Sequence, residues 1–121
     1  MIVAGFGFRS DATTASLQAA LDLAQIAGRP VTHLATIEDK AAPLAELARR
    51  LALPLIAVAP EHIVGLATPT RSLASQAARG AGSVAEACAL AAAGPGAHLL
   101  APRSISHDRM ATCALAEGAS T

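Results

Sequence analysis

The chain opens Met1-Ile-Val-Ala-Gly-Phe-Gly-Phe-Arg-Ser10. An apolar run carries two glycines, and an arginine and a helix-capping serine follow. Read as strand, tight turn and helix, this segment sets a guanidinium beside free backbone N–H groups. A helix N-terminus carries roughly +0.5 charge and unsatisfied donors. Arginine grips carboxylates through two parallel hydrogen bonds. Arg9 and the helix start near Thr13 therefore point to an anionic ligand. Gly5-x-Gly7-x-x-Ser10 approaches a dinucleotide fingerprint but lacks its third glycine. Glu38, the acid considered for a ribose, lies further on than the usual ~20 residues. A nucleotide-binding module stays open as an alternative.

Glu38-Asp39-Lys40 is the second group with chemical capacity. It follows an expected strand, and in open α/β sheets ligands bind beyond the carboxyl ends of strands. Lys40 is expected to share the mouth with Arg9. Glu38 or Asp39 is a candidate general base, or an orienting group for Lys40. His33, His62, His98 and His107 show no metal-ligand spacing, so no metal is expected. His33 and His98 fall in expected strands, where a packed neutral histidine is the commoner case. Cys88 and Cys113 lack a CxxC partner and read as buried thiols. No catalytic triad can be read from residue order alone, and no cofactor is expected.

The elements that must position these residues follow from periodicity. Strands are expected at Ile2 to Gly5 or Phe6, Val31 to Ala35, Leu55 to Ala59, His98 to Ala101 and Met110 to Ala116. The Leu55 strand is apolar throughout, as in a sheet covered on both faces. A helix from Thr14 carries Leu17, Leu21, Ala24 and Ile26 and stops at Gly28 before Pro30. A second has Pro43 in its first turn and Leu44, Leu47 and Leu51 inward. One helical turn is expected at Glu61-His62-Ile63 and a short helix near Ser72 to Arg79. Thr68-Pro69-Thr70 reads as a turn or cap, and Gly80-Ala-Gly82 as a flexible loop; glycines would let residues 60–82 close over a ligand. Ser83-Val-Ala-Glu86 has the form of a capping box opening an Ala-rich helix. Pro102 to Asp108 is expected as an exposed loop, and the residues from Glu117 as disordered. Together these give an α/β domain, a three-layer α/β/α sandwich. Its sheet is mixed and mostly parallel, of about five strands, the last two antiparallel because their link is too short for a crossover.

Composition narrows the function. The 121 residues suit one domain spanning the chain, residues 1–121. Aromatics are 2% of the residues and net charge is zero, so base stacking and phosphate attraction are both poorly served and no nucleic-acid partner is expected. No apolar run reaches the ~18–20 residues of a membrane span, and no signal segment opens the chain; no membrane and a cytoplasmic location are expected.

Four segments in order carry a resemblance: Gly5-Phe-Gly-Phe-Arg9, Leu34-Ala-Thr-Ile-Glu-Asp-Lys40, Leu47-Ala-Arg-Arg-Leu-Ala-Leu-Pro-Leu55 and Gly82-Ser-Val-Ala-Glu-Ala-Cys-Ala-Leu90. Over about residues 2 to 116 the chain resembles the family of CobE and the C-terminal domain of CbiG, of cobalamin biosynthesis. That family's patterns are Gly-x-Gly-Cys-Arg, Thr/Ser-Ile-Asp-x-Lys and Ser-Val-Ala-Glu. Gly5, Gly7, Arg9, Lys40, Ser83 and Glu86 match them; after Thr36-Ile37, Glu38 and Asp39 stand where the pattern has an aspartate and a variable residue. Phe8 stands where cysteine is common, which removes any thiol role there. The resemblance implies a precorrin or corrin intermediate as ligand, a macrocycle bearing many acetate and propionate carboxylates, with other corrin-pathway enzymes as further partners. It also implies alternatives: hydrolysis of the cobalt-precorrin-5A type, opening a lactone with release of acetaldehyde, or a non-catalytic domain docking on a pathway methyltransferase.

Overall fold

In the computed structural model, which describes residues 1–63 and 83–119, the first strand organises two cores. Along β1 (Ile2–Phe8) successive side chains point to opposite faces. Ile2, Ala4 and Phe6 pack with Leu17, Leu21, Leu44 and Leu47, which belong to α1 (Thr14–Ala24) and α2 (Ala41–Leu51). Val3 packs on the other face with Ala87 and Cys88 of α3 (Val84–Ala93). Helices therefore cover both faces, giving three layers. Phe6, Leu17, Leu21, Leu44 and Leu47 are fully buried, each stabilising the fold by about 1.5–3 kcal/mol.

β2 (His33–Ile37) and β3 (Leu55–Val58) follow α1 and α2. β1 pairs with β2, and β2 with β3, in parallel. β4 (His98–Leu99), β5 (Ser104–Ile105) and β6 (Ala111–Glu117) complete a six-stranded sheet ordered β3-β2-β1-β6-β4, with β5 also on β6. β6 runs antiparallel to β1 from Ile2–Glu117 to Phe8–Ala111. The expected mixed α/β architecture is the observed one. The sixth strand is β5, a two-residue stretch inside the expected Pro102 to Asp108 loop.

Several boundaries differ, for local reasons. α1 stops at Ala24, because Gln25 turns extended while its N–H still reaches the Leu21 carbonyl. Gly28, at φ +79, serves instead the tight turn Ile26–Arg29. β2 begins two residues later than expected, and a 3-10 turn, Glu38–Lys40, leads from it into α2. The turn after β3 is likewise 3-10, at Pro60–His62. β3 ends the strand order and is half-buried rather than doubly covered. Glu117 is the last residue of β6, and the Gly118 N–H donates to the Met1 carbonyl at 2.9 Å. The expectations for Thr68 to Thr70, Ser72 to Arg79 and Gly80 to Gly82 lie outside the described residues, as does most of 60–82.

The two opening glycines form no turn. Both lie within β1, on the face that meets α3. A Cβ on Gly5 would stand 2.2 Å from the Ala85 carbonyl oxygen and 2.5 Å from the Ala89 nitrogen. A Cβ on Gly7 would meet Thr112 Oγ1 at 3.1 Å. Glycine here admits the helix backbone onto the sheet. Gly5→Ala forces backbone against backbone and is expected to destabilise by about 3 kcal/mol or more, the upper range for overpacking. Gly7→Ala meets one movable hydroxyl and is expected to cost less, about 1 kcal/mol. Urea unfolding of both variants checks this order.

Candidate functional site

The three parallel strands end along one edge, and the segments singled out in the sequence meet there. The β1–β2 ladder closes at Gly5–Ala35, whereas β1–β6 runs on to Phe8–Ala111 and β2–β3 to Ile37–Val58. β1 and β2 thus part before either strand ends. Across the gap Thr36 Oγ1 donates to the Phe6 carbonyl at 3.0 Å. Thr36 is fully buried, so its hydroxyl holds the base of this crevice and is not offered at the surface.

Arg9 follows β1 directly, exposed, with its N–H donating to the Met110 carbonyl at 2.9 Å. Its guanidinium forms no ion pair among the described residues. Lys40 follows β2 and reaches back toward β1, its Nζ 5.4 Å from the centre of the Phe8 ring. A cation over an aromatic face at this distance gains about 0.5–1 kcal/mol where exposed. Phe8 thereby holds Lys40 beside the strand end that carries Arg9. Glu38 and Asp39 occupy the same 3-10 turn, both exposed.

Two helices begin at this edge from opposite faces. Thr13 caps α1 by accepting from the Ser16 N–H at 3.1 Å. Ser83 caps α3 by accepting from the Glu86 N–H at 3.4 Å. Val84 lies close to Gly7, which puts the start of α3 beside the end of β1. The expected cap at Ser83 is present, but Ser83 and Glu86 are fully buried. Glu86 Oε2 accepts the Arg103 N–H at 2.8 Å, pinning the chain ahead of β5 to α3. Of the expected ligand-binding residues, Arg9, Thr13 and Lys40 present polar groups at the edge. Gly5, Gly7, Thr36, Ser83 and Glu86 build the wall behind them.

One participant escaped the sequence reading. Asp108, in the turn between β5 and β6, accepts from Ser16 Oγ at 2.5 Å, from Ser106 Oγ at 2.6 Å and from the Met110 N–H at 3.0 Å. These bonds, those of Ser106 and Ser16 foremost, hold its carboxyl below the usual aspartate range. Asp108 ties the first turn of α1 to the hairpin that anchors Arg9. Ser106-His-Asp108 carries a recognisable turn signal; its partner Ser16 stands 92 positions away and no local pattern announces it.

The remaining candidates disperse. His98 is exposed, not packed, and lies 3.6 Å from Glu117, which also pairs with Arg29. This cluster is at the opposite edge of the sheet, as is a cleft of about 410 Å³ lined by Leu21, Ile26, Val31, Leu51 and Leu53. That cleft, which Gln25 and Arg29 also line, is remote from Arg9 and Lys40. Cys88 and Cys113 are buried and form no disulfide, and burial pushes the Cys113 thiol well up. Among the described residues no group of three or more His, Cys, Asp or Glu is placed to hold a metal ion. Nor is any helix among them long and apolar enough to cross a membrane.

The sequence pattern of the cobalamin synthesis G C-terminus family matches residues 2–116. The chain belongs to that family. It is a protein of the cobalamin biosynthesis pathway. The family fold recurs in the crystal structure of CobE, at 30% identity and a TM-score of 0.86 over 100% of this chain and 92% of that one. The cobalamin biosynthesis protein chiG of Agrobacterium tumefaciens is 38% identical, with a TM-score of 0.75 over 99% of this chain and 100% of that one. A protein G homolog from Sulfolobus solfataricus shares the fold alone, at 22% identity and a TM-score of 0.69; the match covers 95% of this chain but 36% of the longer protein. No curated protein matches the chain.

The Asp108 bonds give this family member an acid-sensitive joint. A carboxyl whose folded pKa is depressed stabilises above its unfolded value and loses that stabilisation as pH falls through the folded value. Unfolding midpoints are expected to fall as pH drops below about 4, the ordinary aspartate range. In Asp108→Asn that acid limb is expected to be shallower, measured by urea denaturation at a series of pH values.

Proposed function

We propose that the protein binds a precorrin or corrin intermediate in the cytoplasm, gripping its peripheral carboxylates at the carboxyl edge of β1 and β2. Pathway membership supports a carboxylated tetrapyrrole as the ligand class. The observation that carries the reading is the return of Lys40 over Phe8, which brings an ammonium to the strand end bearing Arg9. Arg9 supplies a planar fork for one carboxylate. Lys40 supplies a point charge for another. The N-terminus of α1 adds partial positive charge to the same edge. An acid-rich macrocycle needs several such points spread along a rim rather than one deep pocket.

A second reading is hydrolysis at the macrocycle edge. Its support is that Glu38 and Asp39 share the 3-10 turn with Lys40. One carboxylate would take a proton from water while Arg9 or Lys40 stabilises the developing negative charge. Turnover of a lactone-bearing intermediate by the isolated chain, lost in Asp39→Asn, would favour it.

Titration with hydrogenobyrinic acid, followed by visible absorbance and calorimetry, tests the binding reading. Saturable binding is expected. Arg9→Ala and Lys40→Ala are each expected to weaken it about fivefold, the ~1 kcal/mol of an exposed ion pair. Absence of binding by the folded wild-type chain would sink the reading and favour a domain that docks on another pathway enzyme.

A further inference from the structure

We infer that Arg109 is a further carboxylate-binding residue of this edge, held ready by the Asp108 network; the inference rests on the corrinoid reading above. Arg109 sits in the turn between β5 and β6 with φ +61. The left-handed region is costly for a side chain of this size, and Gly or Asn would occupy it more cheaply. Among the described residues one other non-glycine residue, Ala52, has positive φ. Ala52 is the C-cap of α2, where the end of the helix imposes that geometry. Arg109 lies at no helix end; it follows the turn closed by its own N–H on the Ser106 carbonyl, a position in a hairpin that glycine would usually take, and here it carries a charge.

The turn that holds Arg109 is bonded at every step. Its own N–H donates to the Ser106 carbonyl at 2.9 Å, and the Ser106 N–H to the Ala111 carbonyl at 2.9 Å. The Ala111 N–H donates to Ser106 Oγ at 3.1 Å. Asp108 then fixes Ser106, Met110 and Ser16 together. Backbone strain persists where the surroundings over-determine it, and such places concentrate at binding sites.

The register sets Arg109 beside the site. Phe8 pairs with Ala111, and the next residue, Arg9, bonds to Met110. Arg109 is therefore one residue beyond the position facing Arg9, between the direct and the diagonal cross-strand spacings of roughly 5 and 7 Å. It is exposed and forms no ion pair among the described residues. The neighbouring Asp108 spends its printed hydrogen bonds on Ser16, Ser106 and the Met110 N–H rather than on the Arg109 guanidinium. With Lys40 on the β2 side and Arg109 on the β6 side, Arg9 becomes the middle of three cations along the rim. The ligand class is a macrocycle with several carboxylates spaced around its periphery.

Arg109→Gly and Arg109→Asn remove the charge while relieving the backbone. Both are expected to keep a thermal midpoint equal to or above that of the wild type. Both are expected to weaken hydrogenobyrinic acid about fivefold and to flatten the salt dependence of binding, while Arg109→Lys retains most of the affinity. The octacarboxylate uroporphyrin I serves as a second probe. Uncharged variants that bind both tetrapyrroles as the wild type does would overturn the assignment of Arg109. Arg109-dependent binding of uroporphyrin I without binding of hydrogenobyrinic acid would uphold the assignment and overturn the corrin reading. A wild-type chain that binds neither would overturn both.

Discussion

The close approach of α3 to β1 is the constraint on which the rest of the structure depends. Ala85 and Ala89 come so near Gly5 that no Cβ fits between them. Contact at that distance fixes where α3 begins, and so where Ser83 and Glu86 stand. It also holds the axis of β1, whose opposite face carries Phe6 and the leucine core beneath α1 and α2. With so few aromatic residues in the chain, bulk cannot fill the space between layers. Short alanine and glycine contacts on one face and leucine packing on the other achieve native density instead. The site edge inherits its shape from that fit, since β1 and β2 part just beyond Gly5.

Much of this fold is legible in the sequence, for identifiable reasons. The Ser83-to-Glu86 spacing gives the start of α3 correctly because a cap is a local interaction. Leu44 and Leu47 mark the inner face of α2 through helical period alone. Gly5 and Gly7 mislead because glycine serves both a turn and a close backbone approach, and only the packed helix tells which. Gly28 misleads likewise: it looks like a helix stop but belongs to the separate Ile26–Arg29 turn. The site is half legible. Arg9 and Lys40 lie after strands, where a ligand-facing edge is expected. The cation–π contact that brings Lys40 to β1, and the bond from Ser16 to Asp108, join residues distant in sequence. No period or spacing encodes such meetings.

Residues that match a family pattern divide here into two physical roles. Arg9 and Lys40 are exposed or half-buried and carry charge at the rim. Thr36, Ser83 and Glu86 are buried and use their polar atoms on backbone groups of the protein itself. Buried polar groups left unbonded are costly, and a network that satisfies them specifies one arrangement of the chain. A motif residue can thus be indispensable to a site and never touch what binds there.

The antiparallel pairing of β1 with β6 has a consequence for how the chain acquires its structure. The central pair of strands joins residues 2–8 to residues 111–117. Loops that long are closed at an entropic cost before their contacts can reward it, and non-local sheets form slowly for that reason. During synthesis β1 emerges first but must wait for β6 before its second edge is covered. Until then β1 and β2 offer an apolar, partly open sheet to the surroundings. A nascent chain of this topology leaves that edge unpaired until residues 111–117 are made, and unpaired strand edges of this kind favour pairing between neighbouring copies.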